Sequence, residues 1–389
     1  MPSTLKVQRI GFVVNPIAGM GGKIGLHGTD GDRRLLALLA NVVPISVNRA
    51  RKALKRMESI RDKLIIYAAD GELGGDLLRE LGFNYINIGV DHGLIEKNQT
   101  TATHTIELVQ LMQEQQVDLI LFAGGDGTAR DIYSVVGDRI PIIGIPSGVK
   151  MRSGVFATYP EGAGEIVVNA AIGKQYEILY SEILDVGESS HDGGDRPSTF
   201  YGVARTINSR LRLQHPKLVF IDHDAGIHEL ANEFAHEIET DHLYLFGPGH
   251  TSALFIGALG CVGSLHGVDA YSDGGLIGQD LGEEGIMELL TRFSKVTLVL
   301  GVIGGQGFLL GRGNQQLSTE VLTRIGVTNI LVVSDARKIS SLVPTRLYVD
   351  LEDSEVTPLF PDYFQVHTSP RRTKLVKIIS SNSQVPTLA

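Results

Sequence analysis

One stretch constrains the chain more than any other. An apolar run, Leu119-Ile120-Leu121-Phe122-Ala123, breaks into Gly124-Gly125-Asp126-Gly127 and then into Thr128-Ala129-Arg130-Asp131. A short, glycine-bounded apolar run reads as a buried parallel strand, and Thr-x-x-Asp reads as a capping-like start. The pattern therefore predicts a strand, a tight turn and a helix entering at Thr128. Such a turn sets backbone N–H groups at a helix N-terminus, where the dipole and the unpaired donors favour an anion, and glycine lets a phosphate approach with no Cβ in the way. Gly124, Gly125, Gly127 and Thr128 thus form a candidate phosphate cradle. A carboxylate in that place is repelled by phosphate unless it faces a bound magnesium ion or accepts a proton from an attacking hydroxyl, so Asp126 points to phosphoryl transfer. The competing reading is a generic strand-to-helix turn, which uses Gly and Asp for positive φ and for capping.

Around this stretch the first half alternates β-rich runs with helical patterns. Strands are expected at Arg9–Val14, Leu64–Ala69, Asn84–Gly89, Asp118–Ala123 and Pro141–Ile145, and helices at Asn48–Ile60 and Thr101–Gln116, the latter with Ile106, Val109 and Met112 on one face. The alternation implies α/β architecture, a doubly wound parallel sheet whose ligands bind beyond the carboxyl ends of the strands, where every glycine cluster falls. The cluster after the first strand, Asn15-Pro16-Ile17-Ala18-Gly19-Met20-Gly21-Gly22-Lys23-Ile24-Gly25, fails as a dinucleotide fingerprint and as a P-loop because of Ile24. What remains is a loop of Gly19, Gly21 and Gly22 with a phosphate-facing Lys23 and an Asn15 able to bond a nucleotide, or else a solvated loop. Asp70-Gly71-Glu72-Leu73-Gly74-Gly75-Asp76 offers acids for a ribose hydroxyl, or turn and cap residues. The third cluster, Ile145 to Ala157, carries Ser147, Gly148, Lys150 and Arg152, donors suited to a charged substrate or a triphosphate.

Composition sets limits. The chain has 389 residues, enough for two domains, with 43% hydrophobic and 20% charged residues, an ordinary globular balance. A formal charge of −9 speaks against a nucleic-acid-binding surface, which needs clustered Lys and Arg. Cys261 is the single cysteine, so no intramolecular disulfide forms, as suits a reducing compartment. No apolar run approaches the roughly 18 residues of a membrane span, and the run at Ile10–Val14 is too short for a signal peptide. A cytoplasmic location is expected.

In the second half, Gln175–Val186 and Leu218–Asp222 read as strands joined by a polar loop over Glu188–Pro197. A helix is expected over His228–Thr240. Its His228, Asn232 and His236, with Asp222-His223-Asp224 upstream, suggest either a metal site or a solvated face, the latter supported by Glu229, Glu233 and Glu237 beside them. Leu243–Phe246 ends in Gly247-Pro248-Gly249-His250-Thr251 and runs into an apolar helix, repeating the arrangement of the opening motif. A βαβ-like unit spans 296–334: strand Val296–Ile303, helix Thr319–Ile325 and strand Asn329–Ser334. Arg312, a cation framed by Gly, Asn and Gln, either grips a phosphate or pairs with an acid at a domain interface. Arg371-Arg372-Thr373-Lys374 reads as a solvated basic run.

The motifs Asn-Pro-x-Ala-Gly-x-Gly-Gly, Gly-Gly-Asp-Gly-Thr and Ile-Pro-Ser-Gly-Val-Lys, in this order and spacing, resemble the diacylglycerol-kinase and NAD-kinase superfamily. The likeness is strongest to the ATP-NAD kinase-like branch that includes the acetoin-catabolism X proteins. Phe246-Gly247-Pro248-Gly249-His250-Thr251 resembles that branch's Gly-Pro-Gly-Thr-Thr turn, with His250 in place of threonine, and Gly304–Gln316 is a long match. The resemblance covers nearly the whole chain. It implies an N-terminal nucleotide-binding α/β domain over 1–158 and a C-terminal largely β (α+β) domain over 159–389, with the active site between them. It also implies ATP, or polyphosphate, as donor, magnesium as helper, Asp126 as the catalytic residue, the Gly-Gly-Asp-Gly backbone as holder of the donor phosphates, and a homo-oligomer. The acceptor it implies is the adenosine ribose 2′-hydroxyl of NAD. NAD kinases carry an Asn-Glu or Asn-Asp pair beyond the glycine motif; here Tyr180-Ser181-Glu182-Ile183-Leu184-Asp185 offers acids without the asparagine. Three functions stand at this point: an NAD kinase, a diacylglycerol-kinase-like kinase of another hydroxyl, and a nucleotide-binding accessory protein without turnover. The absence of an amphipathic basic helix weighs against the second.

Overall fold

The structure, a computed structural model of the chain, describes residues 7–22, 24, 44–89, 100–149, 151–173, 177–185, 199–209, 213–214, 225–303, 306–351 and 360–380. Two compact units emerge. The first draws on residues 1–20, 28–190 and 196–216, and the second on 21–27, 191–195 and 217–389.

The five expected strands of the first unit form: β1 (Arg9–Val14), β2 (Ile65–Ala68), β3 (Tyr85–Asn87), β4 (Leu119–Gly124) and β5 (Ile142–Pro146). They make one sheet of order β3-β2-β1-β4-β5, all pairs parallel. Helices α1 (Ser46–Met57), α2 (Gly75–Glu80), α3 (Ala102–Glu114), α4 (Asp126–Val136) and α5 (Pro160–Ala171) accompany them. Successive residues of a strand face opposite sides, and the packing follows this. Ile10, Phe12, Val14, Leu119 and Leu121 pack with Ala50, Ala53 and Leu54 of α1 and Ile166 of α5. Val13, Ile120, Phe122 and Ile142 pack on the other side, with Val109 and Met112 of α3 and Ala129 and Ile132 of α4. Helices thus cover both faces, as a doubly wound sheet requires.

Two expectations shift. The helix after β4 begins at Asp126, with Gly125 as N-cap and no side-chain cap, so Thr128 lies inside the first turn and Thr128-x-x-Asp131 is not a capping box. The division of the chain falls near residue 216 and not after 158. The reason is that α5 packs on α1, while the antiparallel hairpin β6 (Ile178–Asp185) and β7 (Thr199–Ile207) packs on α4.

The second unit is built on β8 (Leu243–Phe246), β9 (Val268–Ser272), β10 (Gly275–Leu281), β11 (Val296–Gly301), β12 (Phe308–Leu310), β13 (Ile330–Val333), β14 (Arg346–Val349), β15 (Tyr363–Ser369) and β16 (Arg372–Ser380). They form one mixed sheet of order β10-β9-β8-β11-β13-β15-β16-β14-β12, in which β8, β11, β13 and β15 run parallel. Its helices are α6 (Ala225–His236), α7 (His250–Ala258), α8 (Glu283–Arg292), α9 (Thr319–Ile325) and α10 (Ala336–Ser340). The β11-α9-β13 unit is the expected βαβ segment, with Leu298 beside Ile330. Leu218–Asp222 and the loop over 188–197 lie outside the described residues. Among the described residues no helix is long and apolar enough to cross a membrane.

Candidate active site

In the order β3-β2-β1-β4-β5 the chain reverses direction of winding between β1 and β4, the place where an open α/β sheet opens a crevice at its carboxyl edge. Both leading motifs leave the sheet there. Asn15 follows β1: its backbone N–H donates to the Ala123 carbonyl at 2.9 Å, and its Nδ2 donates to Thr128 Oγ1 at 3.0 Å. The asparagine expected to bond a nucleotide is thus the brace between two motifs, and its Oδ1 accepts from the Ile17 N–H at 3.2 Å.

Gly124 is required by close approach, since a Cβ there would lie 2.5 Å from the Thr128 side chain. Gly19, at φ +82, is required by conformation as well as by the Ser147 carbonyl against it. A Cβ on Gly127, by contrast, would meet nothing nearer than Asp185 Oδ2 at 3.9 Å. Room therefore exists over the first turn of α4, beside a helix start that no side chain caps.

Asp126, the first residue of α4, is 6% exposed. Its Oδ2 accepts the Arg152 backbone N–H at 2.7 Å, and its Oδ1 accepts both the Ser153 N–H at 3.0 Å and the Ser153 hydroxyl at 2.7 Å. Burial pushes its carboxyl up to about 7; the bonds from Ser153 and Arg152 pull the other way, and the nearby charge of Asp185 adds to the rise. A carboxyl that exchanges its proton near neutrality suits a general base. Ser153 Oγ also lies 3.0 Å from both the Leu184 carbonyl and the Leu184 N–H, which fastens the 151–153 segment to β6. Asp185, next in that strand, binds Arg130 Nη1 at 2.8 Å, and Arg130 also reaches Asp131 at 3.3 Å.

The chain's two halves each match a family model: the ATP-NAD kinase N-terminal domain over residues 10–172 and the ATP-NAD kinase C-terminal domain over 245–378. The chain belongs to the ATP-NAD kinase family. Its fold, a parallel sheet with helices followed by a mostly sheet region, is the one expected of an NAD kinase-like chain. No curated protein and no solved structure matches the chain significantly.

The remaining expected residues separate into groups. Ser147 is buried and donates its hydroxyl to the Ile145 carbonyl at 3.0 Å, so it stabilises its own turn; Gly148 lies against Gly125, whose Cβ would come 3.0 Å from it. Gly21 and Gly22 belong to the second unit, where a Cβ on Gly22 would lie 2.9 Å from Gln315. Lys23 and Lys150 lie outside the described residues. Asp70 is occupied by Arg79 at 2.8 Å, Asn87 at 2.7 Å and the Tyr85 hydroxyl, which favours the turn reading of that cluster.

Arg312 pairs with an acid of its own unit. Its Nη1 binds Asp350 and the Gly311 carbonyl, its guanidinium lies 4.3 Å from the Phe308 ring centroid, and both partners of the ion pair are buried within the second unit. It forms an ion pair inside the second unit, where a domain-interface acid was the expected partner. His228, Asn232 and His236 occupy the exposed face of α6, opposite the buried Ile227, Leu230 and Ala231. Among the described residues no group of three His, Cys, Asp or Glu side chains is placed to hold a metal ion.

Ser153 and Asp185 are the residues that sequence reasoning passed over. Ser153 lies within the cluster from Ile145 to Ala157, and Asp185 ends the stretch Tyr180 to Asp185. The signal that singles them out is the acceptor capacity of a buried Asp126, which needs donors from some other segment once the fold is known.

Proposed function

We propose that the chain is an ATP-dependent NAD kinase in which Asp126 accepts the proton of the adenosine ribose 2′-hydroxyl. The observation that carries this reading is a buried carboxyl, pushed up to about 7 by burial and held by three hydrogen bonds at the uncapped head of α4, where the winding of the sheet reverses between β1 and β4. The hydroxyl oxygen forms a bond to the γ-phosphorus of ATP while the bond from that phosphorus to the β–γ bridging oxygen breaks. ADP leaves with that electron pair, and the proton passes to Asp126. The first-turn backbone of α4, with Gly125, Gly127 and Thr128, holds the donor phosphates. Magnesium, when bound, supplies neutralising charge on those phosphates. Oδ2 of Asp126 accepts one hydrogen bond among the described residues, from the Arg152 N–H, and is the protein oxygen suited to face such an ion. The protein would act on small molecules and as a homo-oligomer.

A second reading, nucleotide binding without turnover, draws on the same carboxyl: three hydrogen bonds at 6% exposure would hold the turn in shape whether or not an acceptor is aligned. One assay separates them. Purified protein with magnesium and NAD is offered ATP or polyphosphate, and NADP is measured. NADP from ATP, lost in Asp126→Asn, supports the kinase. Absence of NADP with every donor, although ATP binds, transfers the conclusion to the second reading.

A further inference from the structure

Three adjacent parallel strands of the second unit, β8, β11 and β13, end side by side. After β8 the chain turns through Gly247-Pro248-Gly249 into α7, whose N-cap, Gly249, has φ +119 and open space where a Cβ would stand; no side chain caps the helix. After β13 the chain enters α10, whose Lys338 is 8% exposed and donates Nζ to Thr251 Oγ1 at 3.1 Å. Thr251 and Ser252, in the first turn of α7, are 3% and 1% exposed. Ser252 Oγ is fully enclosed and has no hydrogen-bond partner among the described residues. Both hydroxyls converge on the end of β11: measured from the position of a Cβ on Gly301, Thr251 Oγ1 lies at 3.7 Å and Ser252 Oγ at 3.8 Å.

A buried hydroxyl without a partner forfeits a bond that water would supply, and an acceptor that arrives from outside restores it. The Lys338 ammonium beside Thr251 adds a positive charge that favours a charged acceptor. The helix start adds N–H donors and a positive dipole end, so the acceptor is an anion, and the carboxyl ends of parallel strands are where such ligands enter.

We propose that the head of α7 is a binding site for the phosphate group of a small molecule, held by the first-turn amides, the Thr251 and Ser252 hydroxyls and the Lys338 ammonium. This site lies wholly in the second unit and does not depend on the role of Asp126.

The test is an amide NMR titration of the full-length chain with inorganic phosphate and, separately, with ADP, at constant ionic strength. Shifts at Gly249–Ser252 are expected with one or both probes. Phosphate alone producing them identifies a free-phosphate site, and ADP alone identifies a nucleotide phosphate. Lys338→Met should weaken this binding by about tenfold or more, as removal of a charged donor does, and Ser252→Ala by a smaller factor. Lys338→Arg keeps the charge and retains binding if Lys338→Met proves unfolded. Shifts confined to residues 124–128 overturn the proposal and leave the kinase reading intact. Binding at Gly249–Ser252 that is unchanged in a folded Lys338→Met protein, or in Ser252→Ala, overturns it too.

Discussion

Asp126 carries two predictions that a single substitution tests. As a base it must be ionised to accept a proton, so kcat/KM for NADP formation is expected to rise with pH and level off above about 7, where the carboxyl titrates. Asp126→Asn should lower kcat by about a hundredfold to ten-thousandfold while leaving the ATP Kd within roughly threefold, read by steady-state kinetics and calorimetry. The second prediction concerns stability. The folded chain keeps the carboxyl proton to about 7, whereas the unfolded chain loses it near 3.8, so between these values the folded state binds the additional proton. Stability from this group is present below that window and is lost as pH rises through it, by up to about 4 kcal/mol. Denaturant melts at pH 5 and pH 8 should therefore show a fall in the wild type that Asp126→Asn lacks. An equal fall in both proteins would place the pH dependence elsewhere. The variant costs something at every pH, because an amide has one NH2 group, which must face either the Arg152 N–H or the Ser153 N–H where a carboxylate oxygen accepts.

At the scale of the element, the turn between β4 and α4 holds glycines of two kinds, and alanine should tell them apart. Gly124→Ala drives a Cβ to 2.5 Å from Thr128, whose hydroxyl is the anchor of Asn15, so the turn must open at a cost of about 1–3 kcal/mol. Gly127→Ala meets no protein atom within 3.9 Å and sits in a helix, so it should fold with unchanged or higher stability. Its new methyl occupies the room proposed for a phosphate, and ATP affinity should drop several-fold or more. Thermal melts and ATP calorimetry on the two variants check this, and a Gly127→Ala protein with wild-type affinity would remove the cradle from the head of α4. The strand, the glycines and the acid of this element were legible in the sequence because period, breaker and residue type are local signals. Its start was not: Thr128 resembles a cap, but its hydroxyl oxygen accepts from Asn15 and Gly125 stands at the N-cap, so the helix begins two residues earlier. Ser153 stayed hidden for a related reason. It lies 27 residues from Asp126, and nothing in that spacing marks a hydroxyl as the partner of a carboxylate until β5 and β6 bring them together.

On the scale of the whole chain, order along the sequence and membership of a core part company. The glycine motifs of the first half run out by residue 158, yet α5 and the β6–β7 hairpin join the first unit through faces with no motif, while Gly22 belongs with Gln315 in the second. Motif positions locate chemistry and leave packing boundaries to long-range apolar contacts. Arg312 shows the same limit: framed by small polar residues it reads equally as a phosphate clamp, and only Asp350, 38 residues on, decides for an ion pair. That pair makes the last prediction. With both side chains 2% exposed, Arg312→Met removes the cation paired with the buried Asp350 carboxylate and should cost about 3–5 kcal/mol, whereas Arg312→Met with Asp350→Leu replaces the pair by packing and should recover most of the loss. The two units have separate hydrophobic cores, so the damage should be local. Hydrogen exchange read by mass spectrometry is expected to show lost protection in peptides from β12 and β14 of the single variant, with β1, β4 and β5 still protected. Equal loss in all five strands would mean that the chain opens as one cooperative body. Retained protection in β12 and β14 would mean that Asp350 has other support, which would return Arg312 to the residues available to a ligand.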